Sequence, residues 1–129
     1  MAILTFTGLN GAAEIELHVT APIRITGGAI SAAGGSILAV YGKQGWCVGE
    51  FHFDSLSFRE AVRIHIHSAS GLRSFGPFDE VTLADHQIST PRGMLARYDA
   101  LEECWRFDRH GSQTEMLVFE PYVGQHAGA

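Results

Sequence analysis

Cys47-Val48-Gly49-Glu50-Phe51-His52-Phe53-Asp54-Ser55-Leu56-Ser57-Phe58-Arg59-Glu60-Ala61-Val62-Arg63-Ile64-His65-Ile66-His67 is the stretch that decides how this chain folds. Apolar and polar residues alternate at both of its ends. In Ala61–His67, Val62, Ile64 and Ile66 fall on one side and Arg63, His65 and His67 on the other. Cys47–Asp54 sets Cys47, Phe51 and Phe53 against Val48, Glu50, His52 and Asp54. A period of two sends alternate side chains to opposite faces of an extended strand. One apolar face and one wet face mark an antiparallel sheet, because buried parallel strands read as unbroken apolar runs. Ser55–Glu60, between the two strands, reads as a hairpin connection.

The same reading extends outward. Glu14–Val19 alternates with Ile15, Leu17 and Val19 inward, while Ser36–Tyr41 and Met116–Phe119 are apolar runs suited to central positions. Val81–Leu83 and Gln87–Ser89 flank a turn at Ala84–His86; Cys104–Asp108 and Glu115–Glu120 flank one at Arg109–Gln113. About 8–10 short strands with Gly-rich turns predict a mainly β fold, an antiparallel β-sandwich of jelly-roll-like kind or a β-barrel. Residues 91–105 leave two readings open. Met94, Tyr98, Leu101 and Trp105 fall at helical spacing after Pro91, which suits one short helix. Gly93 in the first turn and Glu102 and Glu103 near the end oppose it, which suits strand, turn and strand. No internal repeat is visible.

A length of 129 residues predicts one β domain, 1–129. Net charge is -5 and the nine Lys and Arg are scattered, with no stripe to neutralise phosphates, so nucleic acid is not an expected partner. A membrane is not expected either, since no long apolar segment or basic amphipathic helix occurs. The opening residues read as a first strand rather than a targeting segment. Cys47 and Cys104 lack any CxxC or zinc-finger spacing and read as reduced core thiols of a cytoplasmic protein.

Two groups could carry function. If Ser55–Glu60 turns, one register sets His52 opposite His65 and Glu50 opposite His67, close enough at Cβ to share a divalent transition metal such as zinc, iron or nickel. The plainer reading is a solvated polar face. His65-Ile66-His67 and Pro91-Arg92-Gly93 resemble fragments of the two cupin motifs. The resemblance stops there, because Gly71 or Leu72 stands where cupins carry Glu and Ala96 where they carry the second-motif His. Cys47 and His52 fall on opposite faces by the alternation, which speaks against a Cys–His dyad. The second group is aromatic: Phe75 and Phe78 flank Gly76-Pro77 in an apparent loop and, with Trp46, form a candidate ligand platform, set against the simpler reading of a plug in the core. No GxSxG, HExxH or Walker pattern is present. The expected function is a non-catalytic binding or interaction module for a small molecule, carbohydrate or protein partner, as a homo-oligomer in one version. The alternative is a small metal-dependent enzyme or metal-binding protein using Glu50, His52, His65 and His67.

Overall fold

The computed structural model describes residues 2–8, 14–32, 34–42 and 45–122, and every regular element among them is a β-strand. The twelve strands are β1 (Ala2–Gly8), β2 (Glu14–Val19), β3 (Ile23–Thr26), β4 (Ala29–Ser31), β5 (Ile37–Gly42), β6 (Gly45–Val48), β7 (Phe51–Ser68), β8 (Gly71–Ala84), β9 (Gln87–Thr90), β10 (Gly93–Asp99), β11 (Cys104–Phe107) and β12 (Ser112–Pro121). They pair antiparallel in the order β2-β1-β7-β6-β5-β4-β3-β12-β11-β10-β9-β8, and β7 pairs again with β8 and β12. The sheet therefore returns on itself, as a sandwich or partly closed barrel around one buried cluster. No helix among the described residues is long and apolar enough to cross a membrane.

The 18-residue β7 is the spine. One of its edges takes β6 and then β8; the other takes β1 and then β12. The expected turn at Ser55–Glu60 does not exist. Leu56 and Phe58 are fully buried and carry the strand straight through it. The alternation slips phase between Phe53 and Leu56; between Phe58 and Val62 the phase is kept, but Glu60, which falls on the inward phase, is exposed with a φ of 64° and the ladder to β8 shifts there. Bulges of this kind bend a strand while keeping its apolar side inward. The turn lies earlier, at Gly49–Glu50, with Gly49 at φ 61°. Cys47–Asp54 is thus two strands, and Cys47 and His52 are cross-strand partners on one face.

Residues 91–105 form β10, a turn and β11, not a helix. Gly93 has a φ of 117°, which no helix accommodates. Asp99 Oδ1 accepts the N–H groups of Leu101 and Glu102 at 3.0 and 3.2 Å, closing the turn locally. Phe75–Asp79 is likewise not a loop but the middle of β8.

A repeat that the sequence conceals organises the sheet. β3 to β7 and β8 to β12 are two five-strand meanders with the same ladder. Ile25 pairs with Ile30 and Leu83 with Ile88; Tyr41 with Trp46 and Tyr98 with Trp105. Between meanders, Leu117 pairs with Ile25 and Phe119 with Ile23, matching Leu56 with Leu83 and Phe58 with Val81. Even a bulge recurs: the register skips Leu38 between β4 and β5 and Leu95 between β9 and β10. Each indole N–H reaches into the other half, Trp46 Nε1 to Leu83 O at 3.2 Å and Trp105 Nε1 to Gly27 O at 2.9 Å. The equivalent Phe58 and Phe119 stack on each other, centroids 4.8 Å apart and planes at 15°.

That stack should dominate the energetics of the core. Phe58→Ala and Phe119→Ala are each expected to lower the unfolding free energy by about 3–5 kcal/mol. The double variant should lose less than the sum, because the two rings share one contact. Leu101→Ser, at a side chain 94% exposed, should change it by less than about 0.5 kcal/mol. Urea denaturation of the four proteins measures all three.

Candidate functional site

The residues singled out from the sequence are dispersed by the continuous β7. His52 stands near its start and His65 and His67 near its end, so the register that would have gathered them with Glu50 does not form. His52 Nδ1 lies 3.3 Å from Cys47 Sγ, which corrects the expectation that the two face apart. His65 has both ring nitrogens occupied across neighbouring strands, Nδ1 with Ser74 Oγ at 2.7 Å and Nε2 with Glu120 Oε1 at 2.9 Å. Neither nitrogen is left to ligate an ion. Among the described residues no group of three or more His, Cys, Asp or Glu could hold a metal. Ser74, His65 and Glu120 have the connectivity of nucleophile, base and carboxylate, yet the clefts below contain at most the serine on their walls.

Of the three aromatics, Trp46 is fully buried and Phe78 nearly so; both are core. Phe75 is only half-buried, and it opens onto a cleft of 590 Å³ bounded by β8, β10, β11 and the turn after β11. Phe75, Leu95, Ala96 and Phe107 supply apolar wall, and Arg73, Arg97, Arg106 and Arg109 supply charge. A smaller cleft of 310 Å³ shares Phe75, Met94 and Leu95 and adds Arg92, whose guanidinium lies 5.8 Å from the Phe78 ring centroid.

Packing and hydrogen bonds fix two of these arginines. The Arg73 guanidinium lies 5.5 Å from the ring centroids of both Phe75 and Phe107 and 3.8 Å from Asp108. Arg106 donates from Nε to Asp99 Oδ2 at 2.8 Å and from Nη1 to Gly111 O at 3.0 Å. Arg97 and Arg109 have no carboxylate within ion-pair distance among the described residues. Four of the nine basic residues of a net acidic chain thus meet in one cleft. Scattering along the sequence hid this, because β8, β10 and β11 become neighbours only through the fold.

A second cleft, of 650 Å³, has the opposite character. Its walls include Gly27, Gly28, Tyr41, Tyr98, Glu102, Glu103 and Glu115, and among the described residues no Lys, Arg or His lines it. Burial raises the phenol pKa of both tyrosines, and for Tyr98 the charge of Glu103 adds to it. The Tyr41 hydroxyl accepts the His86 backbone N–H at 2.7 Å and shares a second hydrogen bond, 2.6 Å long, with Nδ1 of the same residue.

No protein-family model, curated protein or solved structure matches this chain.

The Asp99–Arg106 pair that shapes the arginine cleft should be visible in acid. The hydrogen bond from Arg106, and then that from the Glu102 N–H, hold the Asp99 carboxyl below the usual carboxylate range. A group lowered on folding stabilises fully above its unfolded pKa and loses that contribution as pH falls through its folded one. Asp99→Asn should therefore reduce the melting temperature at neutral pH and flatten the decline between about pH 4 and pH 2. Parallel melting curves for the two proteins across that window would show that the pair contributes nothing.

Proposed function

We propose that the protein is a non-catalytic binding module, one β domain whose ligand is a small organic anion held in the arginine cleft. The convergence of Arg73, Arg97, Arg106 and Arg109 on one 590 Å³ space supports this reading more than any other observation. Guanidinium forks match carboxylate and phosphate oxygens in bidentate geometry. Arg97 and Arg109 have no carboxylate partner among the described residues, so an incoming anion need not first displace one. Phe75, Leu95 and Phe107 favour an apolar or aromatic body beside the anionic group, in the manner of apolar pockets with a few oriented polar groups. The cleft is sized for a small molecule, and a small molecule, not nucleic acid, is the ligand of this reading.

Phenyl phosphate and benzyl alcohol separate charge from ring. An amide NMR titration should show saturable shifts at Arg97, Phe107 and Arg109 for phenyl phosphate and far weaker ones for benzyl alcohol. Arg97→Ala and Arg109→Ala should each weaken phenyl phosphate binding about fivefold to tenfold. Added salt should weaken it further. Equal binding of the two probes, or shifts spread over the surface, would sink the anion site.

A further inference from the structure

Tyr41 and Tyr98 hold equivalent places in the two meanders, and the surroundings of their hydroxyls differ in one respect. Each tyrosine N–H donates to the second residue of its own half's first turn, Tyr41 to Gly28 O at 2.6 Å and Tyr98 to His86 O at 2.8 Å. Both turns begin left-handed, Gly27 at φ 57° and Asp85 at φ 52°. Each hydroxyl then points across to the other half's turn. There Tyr41 meets the His86 imidazole. Tyr98 Oη meets only Gly28: it lies 3.2 Å from where a Cβ of that residue would stand. No side chain among the described residues hydrogen-bonds it.

The Gly27-Gly28 pair keeps that space empty. A Cβ at Gly27 would stand 3.0 Å from Glu103 O, and one at Gly28 would stand 3.0 Å from Tyr41 O. Where one half carries Asp85 and His86, the other carries bare backbone and the 650 Å³ cleft.

We propose that this cleft binds a small cationic heteroaromatic molecule, an imidazole-type ring carrying an amine, whose ring meets the Tyr98 hydroxyl as the His86 ring meets that of Tyr41. The protein itself displays a partner for a tyrosine in this setting: an imidazole ring nitrogen hydrogen-bonded to the phenol oxygen. The Tyr41 and Tyr98 rings stand edge to face, centroids 5.3 Å apart, and extend the aromatic surface on which a flat ring can rest. Charge is set by Glu102, Glu103 and Glu115, which line the cleft with no basic residue beside them among the described residues. Carboxylates beside an aromatic face favour an ammonium group through ion pairing and cation–π attraction. The arginine cleft selects the opposite charge, so the two sites do not compete for one ligand.

Histamine and imidazole are the probes, followed by amide NMR at about pH 8, where the amine is charged and the free ring neutral. Histamine should give saturable shifts at Gly27, Gly28 and Tyr98 and bind more tightly than imidazole. Tyr98→Phe should weaken both about fivefold to tenfold. Glu103→Gln, at an exposed position that the fold tolerates, should weaken histamine but not imidazole. Arg97→Ala should leave both unchanged, which keeps this outcome independent of the anion site. The absence of saturable shifts at Gly27 and Gly28, or unaltered histamine binding by both the Tyr98 and the Glu103 variants, would overturn the proposal.

Discussion

Hydrogen bonding along both edges of β7, interrupted at the bulge around Glu60, is the constraint from which the rest follows. An unpaired backbone group buried away from water costs about as much as a lost hydrogen bond, so an 18-residue strand through the core must find partners on each side along most of its length. It does so by using four neighbours, two in succession on either edge. A straight strand could not serve both ends. The bulge at Glu60 interrupts the ladder and turns that residue outward while Leu56 and Phe58 stay on the core face shared by Val62, Ile64 and Ile66. Each meander can then lean on β7 and on β12, and the ladder of one meander is reproduced in the other.

The repeated ladder concentrates aromatic packing where the halves meet. Tyr41, Trp46, Tyr98 and Trp105 come from two equivalent hairpins, and Tyr41 lies within 6.1 Å, centroid to centroid, of the other three. The two indole tips are satisfied across the junction: each donates to a carbonyl of the opposite half. Packing and hydrogen bonding therefore hold the two meanders together by a pair of related contacts, one from each half. Beside these rings the copies part at the first turn, with Gly27-Gly28 in one and Asp85-His86 in the other.

Strand chemistry was legible in the sequence wherever alternation ran unbroken. Val62, Ile64 and Ile66 are buried as their spacing requires, and the turn at Ala84–His86 is closed by Asp85 and His86, both left-handed. Continuity was not legible. A phase slip from a bulge and one from a turn look alike in one dimension, so Ser55–Glu60 reads as a turn and Gly49–Glu50 as strand. The histidine cluster depended on that reading and dissolved with it. The repeat escaped for a related reason. Equivalent residues such as Ile30 and Ile88, Tyr41 and Tyr98, or Phe58 and Phe119 drift in spacing, because the turns after β5 and β6 are shorter than those after β10 and β11. Of the predicted platform, Phe75 lines both the arginine cleft and the smaller one beside it, and Phe78 lines the smaller one alone; loop-like composition around Gly76-Pro77 could not reveal that β8 continues through it. The arginine cleft left no local mark, since its residues come from three strands and a turn.

Comparing the halves also shows where their outer faces diverge. The cross-strand pair Val40 and Cys47 in one meander corresponds to Arg97 and Arg106 in the other. The scaffold positions both pairs on the outer face, so the backbone does not dictate whether that face is greasy or cationic. Exposed Ile37, Val40 and Phe51 keep one copy apolar, whereas arginines from β10 and β11, joined by Arg73 on the overhanging half of β8, make the other a cleft. Conversely, bare glycines open a space in the first copy that histidine closes in the second. Residues common to both meanders hold the core, and the clefts draw their charge from residues that differ. The chemistry of the two clefts resides in the departures from the internal symmetry of the fold.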